Sequence, residues 1–324
     1  MPSTTRKPTA GATARSSTGK KPPPKPTSRR AAPQPPAPHR RRWGLAVAAG
    51  AAVVALTAGG LSVSGREGNS APDTAAAGAA YVGGDLHTLT VAAGRLYVGG
   101  HDGVAASTDA GKNWTPMTSL RGADAMGWAV TPAGIFVGGH PGLFRSTDGG
   151  SSFTKAAGLG QVSDVHALGA AGTTAYLASP QGGLLTSDDG GLSWQSRNTE
   201  AGRSFMGTIL VDPANPQRLV APDMHNGLVT SSDGGRTWTS LGGPGGAMAA
   251  AWDPTNTQRL VAVGVNGGAI SSDGGRTWTD LTLPTGTSAA TFSADGSTLF
   301  AGALDGDTAR TFASTDAGTT WTAS

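Results

Sequence analysis

From Leu86 onward the chain is built of short runs in which apolar and polar residues alternate, broken by glycine-rich turns. Leu86-His-Thr-Leu-Thr-Val91 is followed by a turn at Ala92–Gly94 and then by Arg95-Leu-Tyr-Val98. A second turn leads to Gly103-Val-Ala-Ala-Ser107, and a third to Trp114-Thr-Pro-Met117. Alternation of period two between turn residues predicts β-strands. These four strands are labelled A to D from the inside outward. The second strand recurs at Ile135–Val137, Thr174–Leu177, Arg218–Val220, Arg259–Val261 and Ser297–Phe300. Two A–B turns are near copies, Asp212-Pro-Ala-Asn-Pro-Gln217 and Asp253-Pro-Thr-Asn-Thr-Gln258. Asp-Pro and Asn turns of this kind reverse antiparallel strands.

One motif, Ser-x-Asp-x-Gly-x-x-aromatic, punctuates the repeats six times. Its aspartates are Asp109, Asp148, Asp189, Asp233, Asp273 and Asp316, spaced 39, 41, 44, 40 and 43 residues apart. Four-stranded units of about forty residues predict a β-propeller. The expected fold is therefore all-β, a six-bladed β-propeller of four-stranded blades over residues 85–324. The motif falls in the hairpin between strands C and D. Its glycine supplies a positive φ, and its aspartate accepts backbone N–H groups within the turn. The aromatic opens strand D, where it can pack between blades. The six aspartates are read as structural. Residues near Tyr81–Val82 are placed to complete the last blade, whose own strand D, Trp321–Ser324, is short.

The motif and its spacing resemble the bacterial-neuraminidase or Asp-box repeat family, over essentially all of residues 85–324. That family includes sialidases, xyloglucanases, sortilin-type receptors and a photosystem II assembly factor. The resemblance implies that the hairpins lie on the face opposite the binding site. It is specific for fold and weakly specific for activity. A sialidase would need a tyrosine nucleophile activated by glutamate, an arginine cluster and an Arg-Ile-Pro signature before the first blade. This sequence has no such signature; its propeller holds two tyrosines, Tyr97 and Tyr176, both in strand B, and one glutamate, Glu200. Xyloglucanase-like enzymes use two aspartates between two propellers, and this chain has one propeller. The reading is a binding or assembly module. The alternative is a glycoside hydrolase, exo-sialidase-like or xyloglucanase-like, acting on extracellular glycans with a pair of carboxylates.

Charge divides the chain. Residues 1–42 hold eleven Lys and Arg and no acid, whereas residues 85–324 hold 12 basic and 19 acidic residues. Proline, serine and threonine dominate 1–42, which predicts a disordered basic tail. No aromatic or folded module accompanies that tail, so no nucleic acid is expected as a partner. Residues 43–64, entered by Trp43, carry no charge. That is long enough for a transmembrane helix, which needs roughly 20 apolar residues. The positive charges before it predict a cytoplasmic tail and an extracytoplasmic propeller, with the membrane as partner through a signal anchor. The alternative is secretion after cleavage near Ala75–Ala80, since Arg40-Arg41-Arg42-Trp43 loosely resembles a twin-arginine start. Residues 65–84 read as a flexible stalk. The absence of cysteine excludes disulfides and thiolate metal sites.

The candidate chemistry lies in histidine and methionine. His87 and His166 begin strand A of blades one and three, and Met126, Met206 and Met248 take that place in blades two, four and five. His101, His140 and His225 each lie six residues before a motif serine, in the B–C turn. Both positions fall on one end of the propeller, so these eight residues are expected to line an axial mouth. Asp85, Asp124 and Asp164, two residues before the strand-A position, would share its face and act as outer partners that orient the rings. Three readings compete: a water-filled mouth, a metal site, and a glycan or peptide pocket. His87, His166, Met126 and Met206 together would favour copper or another soft ion; no other cofactor is indicated.

Overall fold

The structure, a computed structural model, describes residues 80–324. The basic tail, the uncharged 43–64 segment and most of the stalk lie outside the described residues. Among those described, no helix is long and apolar enough to cross a membrane. Six sheets follow in sequence order: blade one over 88–116, two over 124–155, three over 167–198, four over 210–242, five over 247–281 and six over 287–323; they are antiparallel except where Gly207–Thr208 pairs parallel with Ala167–Leu168 of blade three. This is the expected six-bladed, four-stranded propeller.

The burial pattern explains the strands. In blade one the register pairs Leu89 with Val98 and Val91 with Leu96. Strands B and C, however, are covered on both faces by neighbouring blades. Tyr176, Leu177 and Ala178 are all fully buried. The clean alternation expected from sequence therefore holds poorly there and gives way to continuous apolar runs. The outer strands are short and exposed, as in Thr115–Pro116 and Thr154–Lys155. Core clusters sit between blades. One joins Tyr97 of blade one to Trp128, Ile135 and Phe153 of blade two. Tyr97 and Trp128 stack at 4.7 Å, and Phe153 meets Trp128 edge-on at 5.9 Å. Contacts of this kind add to the area buried.

The six hairpins share one hydrogen-bond scheme. The motif serine Oγ accepts the N–H of the motif glycine at 2.8–2.9 Å and donates to the aspartate Oδ1 at 2.7–2.9 Å. Aspartate Oδ1 then accepts the N–H four residues on, as from Thr237 to Asp233 at 2.9 Å. Glycine is required twice over. Gly150 has φ +84°, and a Cβ there would stand 2.2 Å from the Tyr97 hydroxyl of the preceding blade. Tyr97 itself donates to Gly150 O at 3.4 Å. Each hairpin is thus a blade-to-blade joint. Trp278 Nε1 bonds Leu241 O and Trp321 Nε1 bonds Thr282 O, again on the preceding blade.

The ring is closed by both ends of the described chain. Ala80–Tyr81 pairs with Thr308 and Ala309, while Thr322–Ala323 pairs with Phe312 and Ala313. Two short pieces in tandem therefore occupy the strand D position of blade six. Residues 80 and 81, assigned to the stalk by sequence, belong to the sheet, as the shortness of the last strand D had suggested.

Candidate functional site

The loops opposite the serine–aspartate hairpins form a cavity of about 510 Å³ over blades one to three. Its polar lining is His101 and Asp102 from the B–C turn of blade one, Asp124 and His140 from blade two, and Asp164 and His166 from blade three. Repetition places them. Each blade offers the start of strand A and the B–C turn to the same end, so equivalent positions fall side by side. Asp124 faces His140 in the register of strands A and B. The closing strand also reaches this edge: Tyr81 donates its hydroxyl to Asp102 at 3.3 Å, and Asp102 N–H donates to Val82 O at 3.2 Å.

At the corner between blades one and two, Asp124 lies between two imidazoles. Its Oδ1 is 3.2 Å from His87 Nε2, and its Oδ2 is 3.8 Å from His101 Nδ1. One donor atom from each of the three residues lies within 4.8 Å of the others. His87 and Asp124 are largely buried, with side chains 11% and 14% exposed, whereas His101 is 71% exposed. His87 Nδ1 and Asp124 Oδ1 are both buried without a hydrogen-bond partner among the described residues. Burial lowers the His87 pKa, but the adjacent Asp124 carboxylate and then Asp85 more than offset it, so the net shift is upward. In blade three, His166 Nε2 lies 3.2 Å from Asp164 Oδ1.

The structure gathers only part of the expected set. His101, His140 and His166 line the cavity with Asp124 and Asp164, and His87 reaches the same Asp124 carboxylate. Asp124 contacts His87 directly, across the boundary between blades one and two. Asp85 is half-exposed, 3.8 Å from His87 Nε2, and receives Leu86 N–H. Met126, Met206, Met248 and His225 are not among the cavity's lining residues. Met126 and Met206 are buried, and Met248 is half-buried.

For Met126 and Met248 the physical reason is a β-bulge. The strand register slips between Ala125 and Gly127, leaving Met126 as the extra residue, and slips again between Ala247 and Ala249 around Met248. The rule that residues two apart share a face does not cross a bulge. The inner strands also approach one another closely near the axis: a Cβ on Gly207 would stand 3.0 Å from Met248 O of blade five and 4.0 Å from Met126 O of blade two. His225 sits on an exposed turn organised by Asp223, whose Oδ1 accepts the His225 and Asn226 N–H groups.

Sequence reasoning missed Asp102. Its adjacency to His101 in the same turn was the available signal. The hairpin aspartates are occupied within their own turns. Tyr97 and Tyr176 are fully buried, with hydroxyls bonded to Gly150 O and Pro216 O, so neither is presented to a substrate.

No protein-family model matches the chain, and no curated protein matches it in sequence. Solved structures do resemble it. A GH74 xyloglucanase from Xanthomonas campestris is 19% identical with a TM-score of 0.52, over 76% of this chain and 46% of that one. A GH74 enzyme from Niastella koreensis is 16% identical with a TM-score of 0.51, over 76% and 55%. A chain of a nidogen/laminin complex is 12% identical with a TM-score of 0.57, over 70% and 91%. The chain spans about half the length of the two GH74 enzymes. At these identities the likeness shows a β-propeller fold and leaves activity open.

Proposed function

We propose that this chain is a membrane-tethered, extracytoplasmic binding propeller of the Asp-box type that takes a polar ligand in the cavity over blades one to three. One observation carries the reading: three imidazoles and three carboxylates from three successive blades converge on one cavity of ligand-binding size. The tether is supported by the uncharged 43–64 segment and the basic residues before it. The similar folds include both a xyloglucanase and a chain of a protein–protein complex, so the site and not the fold must identify the role.

The test uses full-length chain in mild detergent, screened by thermal shift against oligosaccharides, short peptides and divalent ions. A ligand should raise the melting temperature, and His140→Ala with Asp164→Asn should abolish that shift. A full panel without response, or a response unchanged in the double variant, overturns the reading. A second reading, glycan hydrolysis by two carboxylates, is favoured by the placement of Asp102, Asp124 and Asp164 around one cavity. It requires turnover of a xyloglucan or sialoside reporter that Asp164→Asn reduces. Binding without turnover rejects it.

A further inference from the structure

We propose that His87, His101 and Asp124 hold a zinc-class divalent cation, which bridges blades one and two at one corner of the cavity. This rests on the reading of the cavity as a binding site and names the ligand of that corner.

The spacing fits. Tetrahedral zinc with nitrogen and oxygen ligands at roughly 2.0–2.1 Å sets neighbouring donors about 3.4 Å apart. One donor atom from each residue lies within 4.8 Å of the others, and the carboxylate spans the two rings, Oδ1 at 3.2 Å from His87 Nε2 and Oδ2 at 3.8 Å from His101 Nδ1. The rings stand at 70° with centroids 6.5 Å apart, so neither covers the other. Little movement is needed, and the exposed His101 ring is the one that can supply it.

The electrostatics fit as well. Asp124 Oδ1 is a buried carboxylate oxygen that accepts no well-aligned hydrogen bond, although His87 Nε2 lies 3.2 Å away. Such an atom is costly unless a cation or donor meets it. Asp85, 3.8 Å from His87 Nε2, adds a second negative charge beside the three donors. The donor set decides the kind of ion. Two imidazoles and one carboxylate suit zinc or a similar borderline divalent ion; the expectation of a soft ion rested on methionines that do not line the cavity. Three protein ligands leave one coordination position facing the cavity, where water or a further ligand can bind.

The sequence hid this arrangement because its members are not close in the chain. His87 begins strand A and His101 sits in the B–C turn of the same blade, while Asp124 begins the next blade. Only the rotation from blade to blade brings the three together. A cation held there would act as a staple next to the seam where the ring closes.

The full-length chain in detergent, stripped with a chelator and dialysed, is titrated with zinc chloride by calorimetry. One zinc per chain should bind, and His101→Ala and Asp124→Asn should each weaken it at least tenfold, since loss of an outer partner alone costs about 10–100-fold. His101 is exposed and Asn keeps the shape of Asp, so both variants should fold, which a cooperative melt of each metal-free variant verifies before titration. His225→Ala should bind zinc as the parent does. Absence of saturable uptake overturns the proposal, as does uptake unchanged in both variants or equally weakened by His225→Ala. If zinc fails while the His140→Ala, Asp164→Asn pair still abolishes another ligand's thermal shift, only the metal assignment falls. If every mouth ligand fails, the binding reading falls with it.

Discussion

Within each hairpin the serine is the buried member, and the aspartate is half-buried or exposed. Ser231 is 3% exposed and its Oγ accepts the buried Gly235 N–H, whereas Asp233 serves the exposed N–H groups of Arg236 and Thr237. Loss of the serine oxygen leaves a buried donor unpaired; loss of the aspartate leaves donors that water can reach. Ser231→Ala should therefore cost about 1–3 kcal/mol, and more than Asp233→Ala, as read from chemical denaturation midpoints. The reverse order would show that the carboxylate holds the turn.

The aspartates instead report on acid. Side-chain donors Asn113, Thr277 and Thr320, followed by backbone N–H groups, hold Asp109, Asp273 and Asp316 at about 2, below the ordinary 3.8. Asp148, Asp189 and Asp233 are likewise depressed, through Ser152, Ser193 and Thr237 first. A carboxylate with a lowered folded-state pKa stabilises the fold above its unfolded value and loses that contribution as pH falls through the folded one. The share of Asp109, Asp273 and Asp316 should be complete above pH 5 and drain away between about pH 4 and 2. A melting temperature flat down to pH 2 would contradict this.

At the scale of the element, the strands mattered less than what joins them. The hairpin aromatics fix one blade on the last, and Trp114 does so at the seam. It is 7% exposed and packs with Ala80, Val82, Phe300 and Ala309. Trp114→Ala should cost about 3–5 kcal/mol, the range for a buried aromatic. Denaturation of the variant measures it, and a cost below 1 kcal/mol would mean the seam does not depend on this ring. The hairpins were legible in sequence because Ser-x-Asp-x-Gly-x-x-aromatic is local, its members bonded within eight residues. The number of blades followed from its spacing. The strand-A bulges were not legible. Nothing near Met126 or Met248 marks an extra residue, and the slip depends on pairing with a strand several residues away. That is why the methionines were expected at the mouth beside the histidines.

For the whole molecule, closure and the candidate site share a neighbourhood. Tyr81 pairs with blade six through its backbone and with Asp102 of the cavity through its hydroxyl. The equivalence of His87, His101, His140 and His166 could be seen in the sequence as repeat position. Asp124 was expected on the same face; its contact with both His87 and His101, and the presence of Asp102, were not, because they come from rotation between blades. The two faces consequently differ in kind. One is tied off by six self-satisfied hairpins; the other carries carboxylates and imidazoles gathered over three of the six blades.

Hydrogen–deuterium exchange on the full-length chain with and without zinc separates the two faces. Zinc should slow exchange at the starts of strand A in blades one and two and in the 100–103 turn, with the six hairpins unchanged. Slowing confined to the hairpin face, or none at the blade one–two corner, would contradict this.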